Sequence, residues 1–178
     1  MRKSKAILLL ILCTVFVFSS LYSSDESVKI NIIDEIDRYH GKRIISTLIE
    51  LNTSEGSIIF LEPGVRFEEE NALYFLMFHL YAYDWFSIEY CSFTVDSDLF
   101  LFSTVKEARN VIVNGVIKEL VTFSATRDFL KKLMAAHSVK IRIQGRGEIR
   151  EFSLTRSDTA SIKKLMDYID KTHDEVVR

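Results

Sequence analysis

The chain has 178 residues, 48% hydrophobic and 27% charged, with a net charge of −2. That is the length and composition of one globular domain. One proline and six glycines exclude a flexible linker or low-complexity tail of any length, and no internal repeat is present.

Arg2, Lys3 and Lys5 precede an apolar run from Ala6 to Phe18, and serines follow. This reads as a signal peptide over residues 1–23, with cleavage after Ser19 or Ser23, leaving 24–178 as a single β-rich domain. The apolar run is short for a bilayer span, which takes roughly 20 residues. An uncleaved anchor is the alternative, and then the membrane is met only through this segment. The expected location is outside the cytoplasm, periplasmic or secreted. Cleavage would remove Cys13 and leave Cys91 with no partner for an internal disulfide. Its place between Tyr90 and Ser92 in an expected strand reads as a small buried side chain.

Val28, Ile30 and Ile32 alternate with other residues and suggest a first strand; Asp34 to Gly41 is too polar to assign. β-Branched residues favour a strand from Arg43 to Leu51, and another from Ser57 to Leu61. Glu62-Pro63-Gly64 reads as the sharpest break in the chain. Leu73 to Phe102 is the densest apolar stretch. Its first part, to Tyr83, is apolar on both faces, as in a covered central strand. A second strand is expected from Trp85 to Val95 with the tryptophan buried, and a third from Leu99 to Phe102. Asn114-Gly115 between two apolar runs is a strong hairpin signal.

Ser124 or Thr126 can cap a short helix with Phe129, Leu130, Leu133 and Met134 on one stripe. Val139 to Gln144 and Glu148 to Leu154 form a hairpin about Gly145-Arg146-Gly147. Ile149, out of phase with Phe152 and Leu154, predicts a bulge. Ser157 is expected to cap a last helix with Ile162, Leu165, Met166 and Ile169 on one face. The expected architecture is a mostly antiparallel β-sandwich of eight to ten strands. The short helix and the C-terminal amphipathic helix pack on it; an open α+β sheet is the alternative.

No P-loop, dinucleotide fingerprint, Gly-x-Ser-x-Gly or zinc motif occurs, so no cofactor or metal is expected. His40, His79, His137 and His173 form no ligand pair, and only His79 falls in a central strand. Charge is uneven. Asp25 to Thr104 has 15 acids against 5 bases, and Val105 to Arg178 has 15 bases against 10 acids. Within the basic half, Lys140, Arg142, Arg146 and Arg150 share one hairpin, the best candidate for a surface meeting an anionic group. Nucleic acid is not expected, since no aromatics interleave with these bases.

The order of Asp84-Trp85, Asp96-Ser97-Asp98, a short helix from Phe129 to Ala136, Arg142 to Gly145, Phe152-Ser153-Leu154 and a last helix from Ile162 to Ile169 resembles a group of uncharacterised exported bacterial proteins. The resemblance covers about half the chain and implies a β-rich domain without adding an activity. The expected function is a non-enzymatic envelope protein that binds an anionic envelope component or another envelope protein. A carrier of an apolar ligand, or a hydrolase using His79 with a nearby acid, are the alternatives.

Overall fold

The computed structural model describes residues 31–36, 41–51, 57–68, 71–103, 105–113 and 116–176. The expected signal peptide, the strand start at Val28, His40 and the Asn114-Gly115 turn itself lie outside them. The chain begins with strands β1 (Ile32–Ile36), β2 (Arg43–Thr47), β3 (Ile49–Leu51), β4 (Ile58–Glu68) and β5 (Asn71–Ala82). It continues through β6 (Tyr90–Val95), β7 (Asp98–Phe102), β8 (Val105–Val113) and β9 (Val116–Ser124). Helix α1 (Arg127–Ala135), strands β10 (Val139–Gln144) and β11 (Ile149–Leu154), and helix α2 (Arg156–Val176) complete it.

All pairings are antiparallel. Seven strands form one sheet in the order β1-β2-β4-β5-β9-β8, with β3 also on β4, and four form a second in the order β11-β10-β6-β7. This is the sandwich expected from the alternation of short strands, with the two helices added. Leu76, Phe78 and Leu80 of β5 point between the sheets and are buried, while Met77, His79 and Tyr81 lie on the outer face. Phe78 reaches Phe93 of the opposite sheet at 6.5 Å between ring centres and Phe123 of its own at 6.1 Å. Phe129 of α1 closes the interior against Phe93, Phe100 and Phe102 at 5.3, 5.1 and 4.9 Å. Burying each such ring contributes about 1.5–3 kcal/mol.

Helix α2 lays Ile162, Leu165, Met166 and Ile169 into the same core. Its cap is Thr155, not Ser157: the Asp158 N–H donates to Thr155 Oγ1 (3.3 Å) and the Thr155 N–H to Asp158 Oδ2 (2.7 Å). That reciprocal pair satisfies two donors at the helix start. Thr126 caps α1, its side chain accepting from the Phe129 N–H.

Glu62-Pro63-Gly64 does not break the chain; β4 runs straight through it. Pro63 lies where the neighbouring ladder is interrupted, between the β2 pair Ser46–Gly64 and the β3 pair Ile49–Leu61. Its missing N–H is not needed there. Gly64 is required by a close approach, since a Cβ there would sit 2.5 Å from Phe75 Cζ and 2.8 Å from Ser46 Cβ. The first strand begins at Ile32 and extends to Ile36, into the stretch the polar pattern left open. The expected bulge in β11 is absent. Gln144 pairs with Ile149 in unbroken register, Ile149 faces out with Glu151, and Arg150 takes the inward position. A register shift occurs instead in β8, between Val105 and Glu107.

The segment 83–89 is not strand. It carries the chain from the larger sheet to the smaller one, so the second strand of the central stretch starts at Tyr90 rather than Trp85. The tryptophan expected in the core is 49% exposed.

Candidate functional site

The crossover segment is irregular yet firmly held. Phe86 and Ile88 point into the core at 3% and 5% exposure. Ser87 takes a positive φ of 54°, and Glu119 of β9 stabilises that turn. Its carboxylate accepts from the Ser87 N–H at 2.9 Å and the Ile88 N–H at 2.5 Å. On the other side, the Arg146 N–H donates to the Phe86 carbonyl and the Glu89 N–H to the Gln144 carbonyl, both at 2.9 Å. Three backbone donors and one acceptor are thereby satisfied in a stretch with no ladder of its own.

The result brings the tip of the β10–β11 hairpin against the crossover. Gly145 permits it: a Cβ there would lie 2.1 Å from the Phe86 carbonyl oxygen. What faces solvent beside this junction is Tyr83, Asp84, Trp85 and Glu89 from the crossover and Arg146 and Glu148 from the hairpin tip.

The four bases singled out in the sequence divide. Lys140 and Arg142 are exposed on the outer face of β10, and Arg142 Nε lies 3.7 Å from Glu151 Oε1 across the hairpin. Neither Lys140 nor Arg146 has an ion-pair partner among the described residues. Arg150 turns inward instead. Its guanidinium lies 4.6 Å from the centre of the Phe86 ring, donates to Ser57 Oγ at 2.6 Å and pairs with Glu148 at 2.8 Å. Its work is to fasten the hairpin to the crossover.

His79 stands apart, on the outer face of the larger sheet. Its Nε2 lies 2.5 Å from Glu62 Oε2, and the Ser46 hydroxyl donates to Glu62 Oε1 at 2.6 Å. Burial raises the Glu62 pKa, but the hydrogen bonds from His79 and Ser46 outweigh it and leave the carboxyl below its ordinary value. Beside it Phe60 meets the Tyr81 ring edge-on at 6.1 Å, and Lys118 Nζ sits 5.2 Å from the centre of that ring. As chemistry the set holds a general base's usual pair, histidine with carboxylate. The hydroxyl, however, faces the carboxylate rather than the imidazole, and Ser46 is fully buried. It is not placed as a nucleophile.

Asp96, another carboxylate of the central stretch, accepts from the His137 and Ser138 N–H groups at 3.0 Å each, securing the turn between α1 and β10. Cys91 is a buried core side chain, and burial pushes its thiol pKa well up, away from reactivity. The described residues contain no group of three or more His, Cys, Asp or Glu placed to hold a metal ion. None of their helices is long and apolar enough to cross a membrane.

Sequence reasoning found Arg146 and the aromatic density but missed Tyr83 as a surface group, Glu119 as a clamp and Glu62 as the partner of His79. The Glu62–His79 pair depends on cross-strand register and the other two on the path of the crossover, neither of which sequence spacing displays. No known protein family matches the chain, and no curated protein or solved structure matches it.

Proposed function

We propose that this chain is a non-catalytic exported module that binds another envelope component through Tyr83, Trp85 and Arg146. The observation that carries this reading is the exposure of a tryptophan and a tyrosine, at 49% and 76%, directly before a stretch, Phe86 to Glu89, fixed by four hydrogen bonds to its backbone. A rigid loop loses little conformational entropy on binding, so its exposed rings act as anchors. Tyrosine, tryptophan and arginine are also the residue types that dominate interface energies. The chemistry fits a component that offers an apolar face beside an anionic group.

Trp85 is the only tryptophan in the chain, so its emission reports directly on this surface. Purified cell wall and vesicles containing anionic phospholipid are the two probes. Binding to either should shift the emission and weaken as salt rises, because exposed charges are screened over about 8 Å at physiological ionic strength. A paired Trp85→Ala, Arg146→Glu variant should lose it. Binding left unchanged in that variant rejects the site.

The carrier reading draws less support, since the core aromatics pack edge-to-face on one another. The hydrolase reading rests on the His79–Glu62 pair alone. Hydrolysis of a model ester that His79→Ala abolishes while leaving the fold intact would favour it.

A further inference from the structure

Five strands lie at the edges of the two sheets: β1, β3 and β8 in the larger, β11 and β7 in the smaller. Edges invite pairing with another chain, and natural sheets blunt them with charge, bulges or covering elements. Four of these edges are blunted, β3 by being only three residues long with Glu50 exposed at its centre. Strand β1 carries Asp34 and Glu35, with Asp34 held by Arg43 at 2.7 Å. Strand β8 is distorted by its register shift between Val105 and Glu107. Strand β11 carries Arg150 and Glu151 and has α2 against it.

Strand β7 is the least guarded. Helix α1 packs on its inner face through Phe129 and Lys132 Nζ lies 4.9 Å from the centre of the Phe100 ring, but the strand's outer face carries no charge. Its sequence is Asp-Leu-Phe-Leu-Phe, and its single charge is at the end, where Asp98 lies 3.5 Å from Lys132 Nζ. Leu99 and Leu101 project from the outer face at 63% and 69% exposure, while Phe100 and Phe102 face Phe129. Its backbone bonds to β6 alone among the described residues. Leu99-Phe100-Leu101 also reads the same in both directions, and antiparallel pairing reverses a strand. Two copies of β7 aligned at Phe100 therefore place Leu99 opposite Leu101 of the other copy, twice, on the outer face. The outer face of that seam holds leucines alone, and Asp98 at its ends keeps Lys132 of its own copy as partner.

We propose that β7 is a self-association edge, joining two copies of this chain about a two-fold axis into one continuous sheet of eight strands. A two-fold contact requires a self-complementary surface, and the palindromic strand is one. Cross-strand leucine pairs and newly made ladder hydrogen bonds hold it together. This dimer contact is separate from the Tyr83–Trp85–Arg146 surface.

The test uses the purified full chain in sedimentation equilibrium and an oxidative cross-link. The protein should show a concentration-dependent dimer. Leu101→Lys, a charge on an exposed outward position, should keep the far-UV spectrum and weaken the dimer on the order of tenfold or more. Chains carrying Leu99→Cys and chains carrying Leu101→Cys should form a covalent dimer when mixed and oxidised, and neither should do so alone. All chains also carry Cys13→Ser, and native Cys91 is buried and takes no part. A strictly monomeric protein, a dimer indifferent to Leu101→Lys, or a disulfide-linked dimer of Leu101→Cys alone would each overturn the proposal.

Discussion

Glu119 holds Ser87 in the left-handed conformation: the carboxylate of one strand accepts two successive backbone N–H groups from a loop 32 residues away in sequence. A serine at positive φ costs on the order of 1 kcal/mol or more and persists only where its surroundings enforce it. Glu119, at 3% exposure, has no other described hydrogen-bond partner. The carboxylate's function is therefore to set the path between the two sheets.

Glu119→Ala should destabilise the protein by about 3 kcal/mol, since two buried N–H groups lose a charged acceptor. Glu119→Gln retains one acceptor but turns an amide donor toward a donor, and should cost about 2 kcal/mol. Urea unfolding measures both. Emission from Trp85, two residues before Ser87, should become more quenchable in either variant as the loop loosens.

Gly145 and Gly147 stand two residues apart in one turn, and alanine should separate them. At Gly145 the added carbon would lie 2.1 Å from a backbone oxygen, that of Phe86. The hairpin must then move away from the crossover, at a cost of about 3 kcal/mol or more. At Gly147 the surrounding space is open but φ is +74°, and the strain should cost only about 1 kcal/mol. Equal destabilisation of the two would contradict the contact with Phe86.

The sandwich was legible because its signals are local. Alternation in Val139–Gln144, the Asn114-Gly115 pair and the apolar face of α2 each announce an element within a few residues. The failures arise where a long-range partner decides. Pro63 looks like a break until its neighbour in the sheet proves to be the gap between β2 and β3. Ile149 looks out of phase until Arg150 is found stacked on Phe86. Trp85 looks like core because tryptophan usually is, yet Phe86 beside it takes the interior position. The candidate surface was half visible, since Arg146 stood out by charge while Tyr83 and Trp85 were absorbed into an expected strand.

The Glu62 pair should appear in the pH dependence of stability. Its carboxyl has a folded pKa below the unfolded one, net of burial, because His79 and Ser46 hydrogen-bond to it. The sign follows: this stabilisation is complete above the unfolded value of about 4.3 and is lost as pH falls through the lower folded value. Unfolding free energy measured between pH 6 and pH 3 should fall less steeply in Glu62→Gln than in the native protein. Parallel curves would mean that the carboxylate gains nothing from its partners. The variant should also be less stable at neutral pH, where the charged acceptor is lost.

Trp85 and Phe86 offer the sharpest contrast, being neighbours with opposite environments. Trp85 is 49% exposed and Phe86 only 3%, with the Arg150 guanidinium over the Phe86 ring. Trp85→Ala should change stability by no more than about 0.5 kcal/mol, as surface substitutions generally do. Phe86→Ala should cost about 3–5 kcal/mol, combining lost burial with a cavity, and should also release Arg150 from its ring. Native emission should be red-shifted and readily quenched by iodide, and Phe86→Ala should leave that exposure in place while lowering the unfolding midpoint. A blue-shifted, protected tryptophan in the native protein would return Trp85 to the core and remove it from the proposed contact surface.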